Sequence, residues 1–140
     1  MKTRATLWVT CAVLLMAGAV IAQSDDQMRV FDATLDRVWL VTRTALRGLG
    51  WDIEKEDRAA GWLITDSRVT EGDDFGVYAK GTKHRLRLVF KTLSDGKVAV
   101  TVEHRVWKEQ RILWMDKRED LSTTDHQVEK ELLDTIGATL

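Results

Sequence analysis

Between Leu86 and Val106, apolar residues fall on every second position of two stretches separated by Ser94-Asp95-Gly96. Leu86, Leu88 and Phe90 occupy even positions of the first stretch, and Val98, Val100, Val102 and Val106 those of the second. A period of two puts such side chains on one face of a strand, and that face needs both a paired neighbour and a cover. Directly opposed residues of an antiparallel pair share a face, so their numbers sum to an even value. A three-residue loop with Gly96 in the left-handed conformation pairs Leu93 with Lys97 and satisfies that parity. Leu88 then opposes Val102, Phe90 opposes Val100, and Leu86 opposes His104. On the other face Arg87 meets Glu103, an attractive pair.

The cover for this hairpin is legible on both sides of it. Leu35, Val38, Trp39, Thr42, Leu46 and Leu49 recur at helical spacing, with Asp36, Arg37, Arg43 and Arg47 largely elsewhere. Thr34 can accept a backbone N–H in the first turn, Asp36 suits the helix dipole, and Gly50 can end the helix. A second amphipathic helix is predicted from Val128, Leu132, Leu133, Ile136 and Leu140, preceded by the capping-box pattern Thr124-Asp125-His126-Gln127. Met28 to Asp32 fits a short edge strand. Trp51 and Ile53 alternate with Asp52 and Glu54, and Trp62-Leu63-Ile64-Thr65 completes a first hairpin, in which either Trp62 and Ile64 or Leu63 and Thr65 can face inward. The expected fold class is α+β, an antiparallel sheet of about five strands packed on two helices in the order β-α-β-β-β-β-α. Thr70 to Lys83, interrupted by glycines and Asp73-Asp74, is expected to be a mobile loop, and Trp114 is placed in a charged loop with Ile112 and Leu113.

Ahead of the folded portion, Met1 to Arg4 carries Lys2 and Arg4, and Ala5 to Ala22 carries no charge. That is the layout of a secretory signal, with Val20 and Ala22 in the small-residue positions before a cut after Ala22. The expected organisation is a signal peptide over 1–22, a polar tail over 23–27 and one α+β domain over 28–140, exported to the periplasm or envelope. If the segment is retained instead, it anchors the chain to the membrane, since its length sits at the lower edge of what crosses a hydrocarbon core of about 30 Å. Cys11 is the single cysteine among 140 residues, which excludes an internal disulfide framework and a multi-cysteine zinc site. It follows Trp8-Val9-Thr10 near the start of the apolar run, the wrong place for lipid attachment. A formal net charge of −1 with no long run of one sign leaves no footprint for nucleic acid.

Chemistry is sparse in this chain. His84 and His104 fall on the inward face opposite Val106 and Leu86, so neither is predicted to face a carboxylate, and His126 belongs to a helix cap. Ser24, Ser67, Ser94 and Ser122 lack the glycine-flanked elbow that presents a nucleophile. Asp73-Asp74 lacks the repeated oxygen ligands of a calcium loop, and the nearby glycines do not make a phosphate cradle. No catalytic residue, metal or cofactor is expected. The surplus lies in the aromatic residues. Trp39, Trp51 and Trp62 are assigned to the core, whereas Trp107 is out of phase with the valines of its strand and Trp114 lies among charged residues. Trp107 and Trp114, with Ile112 and Leu113, are therefore predicted to form a partner-binding patch, joined by Phe75 and Tyr78 of the 70–83 segment.

Phe31-Asp32-Ala33, the helix bearing Val38-Trp39 and Leu46, Leu49-Gly50-Trp51-Asp52-Ile53, Asp57, Gly61 and Ile64-Thr65 together resemble the helix-grip domains of BamC-like outer-membrane lipoproteins. Trp114 followed by Glu129, Leu132-Leu133 and Ile136 is similar too. These motifs belong to the fold and not to catalysis, and the lipobox cysteine is missing. The resemblance implies a non-enzymatic, envelope-associated protein-interaction module, an accessory of outer-membrane assembly whose partner is an envelope protein. The alternative is a carrier of a small apolar ligand, held in a cavity between helix and sheet with Phe75 and Tyr78 as its lid.

Overall fold

The computed structural model describes residues 26–74 and 78–140. The expected export segment, the start of the polar tail and Phe75 lie outside the described residues. The protein is α+β: β1 (Met28–Phe31), α1 (Leu35–Gly48), β2 (Ile53–Asp57), β3 (Trp62–Thr65), β4 (Arg68–Asp74), β5 (Tyr78–Thr92), β6 (Val98–Ile112), β7 (Met115–Leu121) and α2 (Gln127–Thr139). All seven strands join one antiparallel sheet, against the five expected.

The hairpin at its centre has the predicted register. Leu93 N–H donates to the Lys97 carbonyl at 2.8 Å, and Gly96 takes φ +83°. Leu88 lies opposite Val102, Phe90 opposite Val100, Leu86 opposite His104 and Arg87 opposite Glu103. The last pair is an ion pair at 3.5 Å. Both strands run for 15 residues, far past the apolar alternation that announced them.

Their proximal halves form the body. The strand order there is β1-β6-β5-β3-β2, and the even-numbered face of β5 and β6 carries Leu86, Leu88, Val98, Val100 and Val102, each wholly buried. Both helices cover that face. Trp39 of α1 packs on Phe90 with ring centroids 4.7 Å apart, and Leu132, Leu133 and Ile136 of α2 complete the core. Each such side chain contributes roughly 1.5–3 kcal/mol by leaving water. Thr34 Oγ1 accepts from Arg37 N–H at 3.4 Å, as the sequence predicts. In α2 the N-cap is His126 and not Thr124; Asp125 accepts from Gln127 N–H at 3.0 Å. The carboxylate three residues after the cap, Glu129, turns back to the His126 ring at 3.0 Å. The open question in the first hairpin is decided for Leu63 and Thr65, which are wholly buried. Trp62 and Ile64 face the opposite side of the sheet and are half-buried, so Trp62 is not a residue of the helix-covered core.

The distal halves of β5 and β6 continue beyond the helices as an arm. There β4 flanks β5 along the edge that β3 holds in the body, and β7 flanks β6 along the edge that β1 holds. The expected 70–83 loop is thus mostly paired strand. Its glycines mark close approach: Gly72 lies opposite Gly81, and a Cβ added to Gly72 would stand 2.5 Å from the Lys80 carbonyl oxygen. The charged stretch 110–121 is likewise strand, running through the β6–β7 hairpin. Its polar composition suits an arm whose two faces both meet water, a pattern that period-two hydrophobicity does not detect.

Candidate functional site

The free end of the arm is the β6–β7 turn. Ile112 closes β6, Met115 opens β7 and the two pair directly, leaving Leu113 and Trp114 as the turn. Seven rungs of ladder put this tip about 20 Å beyond the body at the usual rise per strand residue. Four consecutive large apolar side chains are open to water here: Ile112 at 45%, Leu113 at 53%, Trp114 at 86% and Met115 at 63% of full exposure. Leu113 adopts φ 57°, the left-handed region that favours glycine. A leucine at that position costs about 1–2 kcal/mol of backbone strain, in return for an apolar side chain at the apex. Tyr78 lies opposite Ile112 on β5 and is half-buried. The structure therefore brings together Ile112, Leu113, Trp114 and Tyr78, and adds Met115, which the sequence analysis did not assign to the patch.

Trp107 does not belong with them. It lies on the face of the arm turned away from the helices' side and is only 5% exposed. The Arg118 guanidinium lies 4.3 Å from its ring centroid, with that of Arg85 at 5.9 Å. Being out of phase with the valines did place Trp107 on the other face, but that face carries arginines long enough to fold over an indole. The prediction that Trp107 is an exposed binding residue is corrected accordingly.

Just below the tip, Lys80, Lys108 and Lys117 converge with Glu109, Gln110 and Glu119 around a cavity of about 230 Å³. Glu109 is paired with Lys83, and Arg111 with Asp116 at 3.1 Å. The apolar tip thus rises from a collar of mixed charge. On the outer face of the body, a second cavity of about 360 Å³ is lined by Trp62, Ile64, Arg85, Arg87 and Arg105. Glu54 holds Arg85 at 2.9 Å and Glu103 holds Arg87, so two of its three arginines are already neutralised.

A different site was missed by sequence reasoning. Glu129 on α2 is wholly buried, and it collects the histidines from three separate segments. His126 Nδ1 lies 3.0 Å from Glu129 Oε1, and His104 Nδ1 faces Oε2 at 3.6 Å. His104 Nε2 lies 2.9 Å from His84 Nδ1, and His84 Nε2 lies 2.9 Å from the Thr70 hydroxyl. Burial pushes the Glu129 carboxyl up, but the His104 and His126 imidazoles beside it outweigh that and hold it below the ordinary glutamate value of 4.5. The expectation that neither inward histidine faces a carboxylate is wrong for His104. Its sheet partner Leu86 was identified correctly, but the carboxylate arrives from the helix above, and strand register is silent about that.

The run Thr70, His84, His104, Glu129 has the donor order of a proton relay. Thr70 lines none of the cavities above, however, and among the described residues no group of three or more His, Cys, Asp or Glu side chains is arranged to hold a metal ion. Compared with known proteins, the chain matches no family model and no curated protein.

Proposed function

We propose that this protein is a non-enzymatic module of the cell envelope that captures a protein partner with the tip of its β6–β7 hairpin. The observation that carries the reading is the run of four exposed apolar residues, Ile112 to Met115, at the end of a projecting arm. Solvent-exposed side chains of this size are costly to keep unless something covers them, and tryptophan is the side chain most enriched among residues that dominate interfaces. The left-handed backbone at Leu113 supports the same reading, because strain retained at one point of an exposed turn is characteristic of functional positions.

The envelope location rests on the charge-then-apolar layout of Met1 to Ala22 and on the resemblance to BamC-like helix-grip domains, from which the body's two helices on one face of an antiparallel sheet would follow. Within that reading the partner is another envelope protein and the role is accessory to outer-membrane assembly. The carrier alternative needs an apolar cavity between helices and sheet, and Leu46, Leu63, Leu86, Leu88, Leu132 and Ile136 occupy that interior with none of their surface exposed.

The test is a photo-crosslinking residue placed at position 114 in the full chain, with crosslinking in intact envelopes and parallel flotation with protein-free phospholipid vesicles. A discrete protein adduct that disappears in the Leu113→Ser, Met115→Ser double variant is expected. Adducts to lipid alone with vesicle flotation, or no adduct from a folded protein, would overturn the reading.

A further inference from the structure

The outer face of the sheet, turned away from both helices, carries a charge arrangement that folding does not call for. Arg85 of β5 lies directly opposite Arg105 of β6. Opposed residues of an antiparallel pair have Cβ atoms about 5 Å apart, and like charges so placed are destabilising. Arg87 follows on the same face, and the three arginines line the cavity of about 360 Å³ whose other walls are Trp62 and Ile64. We propose that this cavity is a binding site for an organic carboxylate, its anion held by the arginines and its apolar body laid against Trp62 and Ile64.

Charge complementarity argues for an anion of single charge. Glu54 holds Arg85 at 2.9 Å and Glu103 holds Arg87 at 3.5 Å. Arg105 is exposed and has no acidic partner among the described residues. Three cations against two carboxylates leave one positive charge over, which a monoanion neutralises. Arg105 presents the planar fork that a carboxylate fits with two parallel N–H···O bonds. A guanidinium has five N–H donors, so Arg85 and Arg87 keep donors to spare beside their glutamates. The Arg85 Nε is shut off from water with no hydrogen-bond partner among the described residues, and a buried charged donor is costly to leave so.

The apolar part of the ligand follows from the walls. Trp62 and Ile64 are half-buried on a face that no helix covers, and they supply the flat apolar surface that small-ligand sites combine with a few fixed polar groups. The site stands where the edge strands change over. Along β5, β3 pairs as far as Ile64 opposite Arg87, and β4 takes over at Arg68 opposite His84. Along β6, β1 pairs no further than Met28 opposite Thr101, and β7 no nearer than Leu121 opposite Val106. Neither Arg85 nor Arg105 therefore has a flanking strand on its outer side. A volume of about 360 Å³ lies at the lower end of small-ligand sites. It suits a free aryl or branched acyl acid, or the terminal residue of a peptide, which share the same chemistry.

This site is separate from the tip, and its test needs no protein partner. The full chain is titrated with phenylacetate while the arginine Nε–H and indole N–H resonances are followed by NMR. Acetate, phenylacetamide, and the tripeptide Ala-Ala-Phe with a free or an amidated C-terminus are titrated in parallel. Phenylacetate is expected to shift the Arg105 and Trp62 signals saturably, with acetate and phenylacetamide each weaker by about tenfold or more, since one lacks the apolar body and the other the charge. Arg105→Gln is expected to retain the fold, having no ion pair to lose, and to weaken phenylacetate by about tenfold or more. Arg47→Gln, which removes an exposed arginine of α1, is expected to leave binding unchanged. A free-acid peptide that binds more tightly than phenylacetate and fails when amidated identifies a chain terminus as the source; the opposite order identifies a small acid. No saturable shift at Arg105 and Trp62, equal binding of phenylacetate and phenylacetamide, or binding untouched by Arg105→Gln would overturn the proposal. Should Arg105→Gln not fold, the comparison of phenylacetate, acetate and phenylacetamide on the unmodified chain decides.

Discussion

At the scale of single residues, the aromatic side chains separate by what stands beside them. Trp107 and Trp114 look alike in sequence, each an indole among charged residues, yet one is 5% and the other 86% exposed. The difference is that Trp107 lies inside a strand whose neighbours supply arginine stems, whereas Trp114 lies in a turn with no flanking strand above it. The buried Trp107 indole Nε1 has no hydrogen-bond partner among the described residues, so Trp107 is held by packing and by the cations over its face. Trp107→Ala should lower stability by about 3 kcal/mol, seen as a shift in the denaturant midpoint with little change in slope. A midpoint that does not move would mean the arginines fail to cover the ring.

At the scale of elements, the arm is a pair of hairpins without a helix behind them. Its strands are kept together by ladder bonds, by cross-strand ion pairs such as Lys83 with Glu109, and by the close approach of Gly72 to Gly81. Exposed ion pairs contribute little each, so backbone pairing carries most of the arm's order. Gly72→Ala puts a methyl carbon 2.5 Å from the Lys80 carbonyl oxygen, and backbone has to shift to admit it. The expected result is loss of amide protection along the distal part of β4 and its partner positions on β5, with the packing of Trp39 on Phe90 retained. Uniform destabilisation of the body instead would show that arm and body unfold as one unit.

At the scale of the whole molecule, Glu129 links the helical layer to the sheet through His104, and its titration is coupled to folding. Its folded value lies below the ordinary 4.5, so its stabilising contribution is complete above that value and is lost as pH falls beneath it through the lowered folded value. The protein should accordingly lose denaturant resistance as pH falls from the ordinary glutamate value of 4.5 through the lowered folded value. Glu129→Gln removes the titrating group, so its stability should depend less steeply on pH across that interval. An equal slope in the two proteins would assign the acid sensitivity to other carboxylates.

What the sequence determined by itself was whatever one element can enforce on its own side chains or on an adjacent strand. Period-two alternation and the Ser94-Asp95-Gly96 turn settle the register from Leu86 to Val106, because a slip of one residue would turn the valines to water. Helical spacing likewise identifies α1 and α2 and their buried stripes. The tip was legible in part, since Ile112, Leu113 and Trp114 stand out as apolar residues in a charged stretch, but nothing local says that this stretch is strand. Tertiary structure alone decided the rest. The arm is solvated on both faces, so its strands lack hydrophobic alternation and owe their form to pairing with β5 and β6. Trp107 is buried by side chains from β5 and β7, and His104, with His84 against its far side, meets His126 at Glu129 only because α2 lies across the sheet. Contacts between segments far apart in the chain have no period to betray them, and they become visible only when the layers are packed.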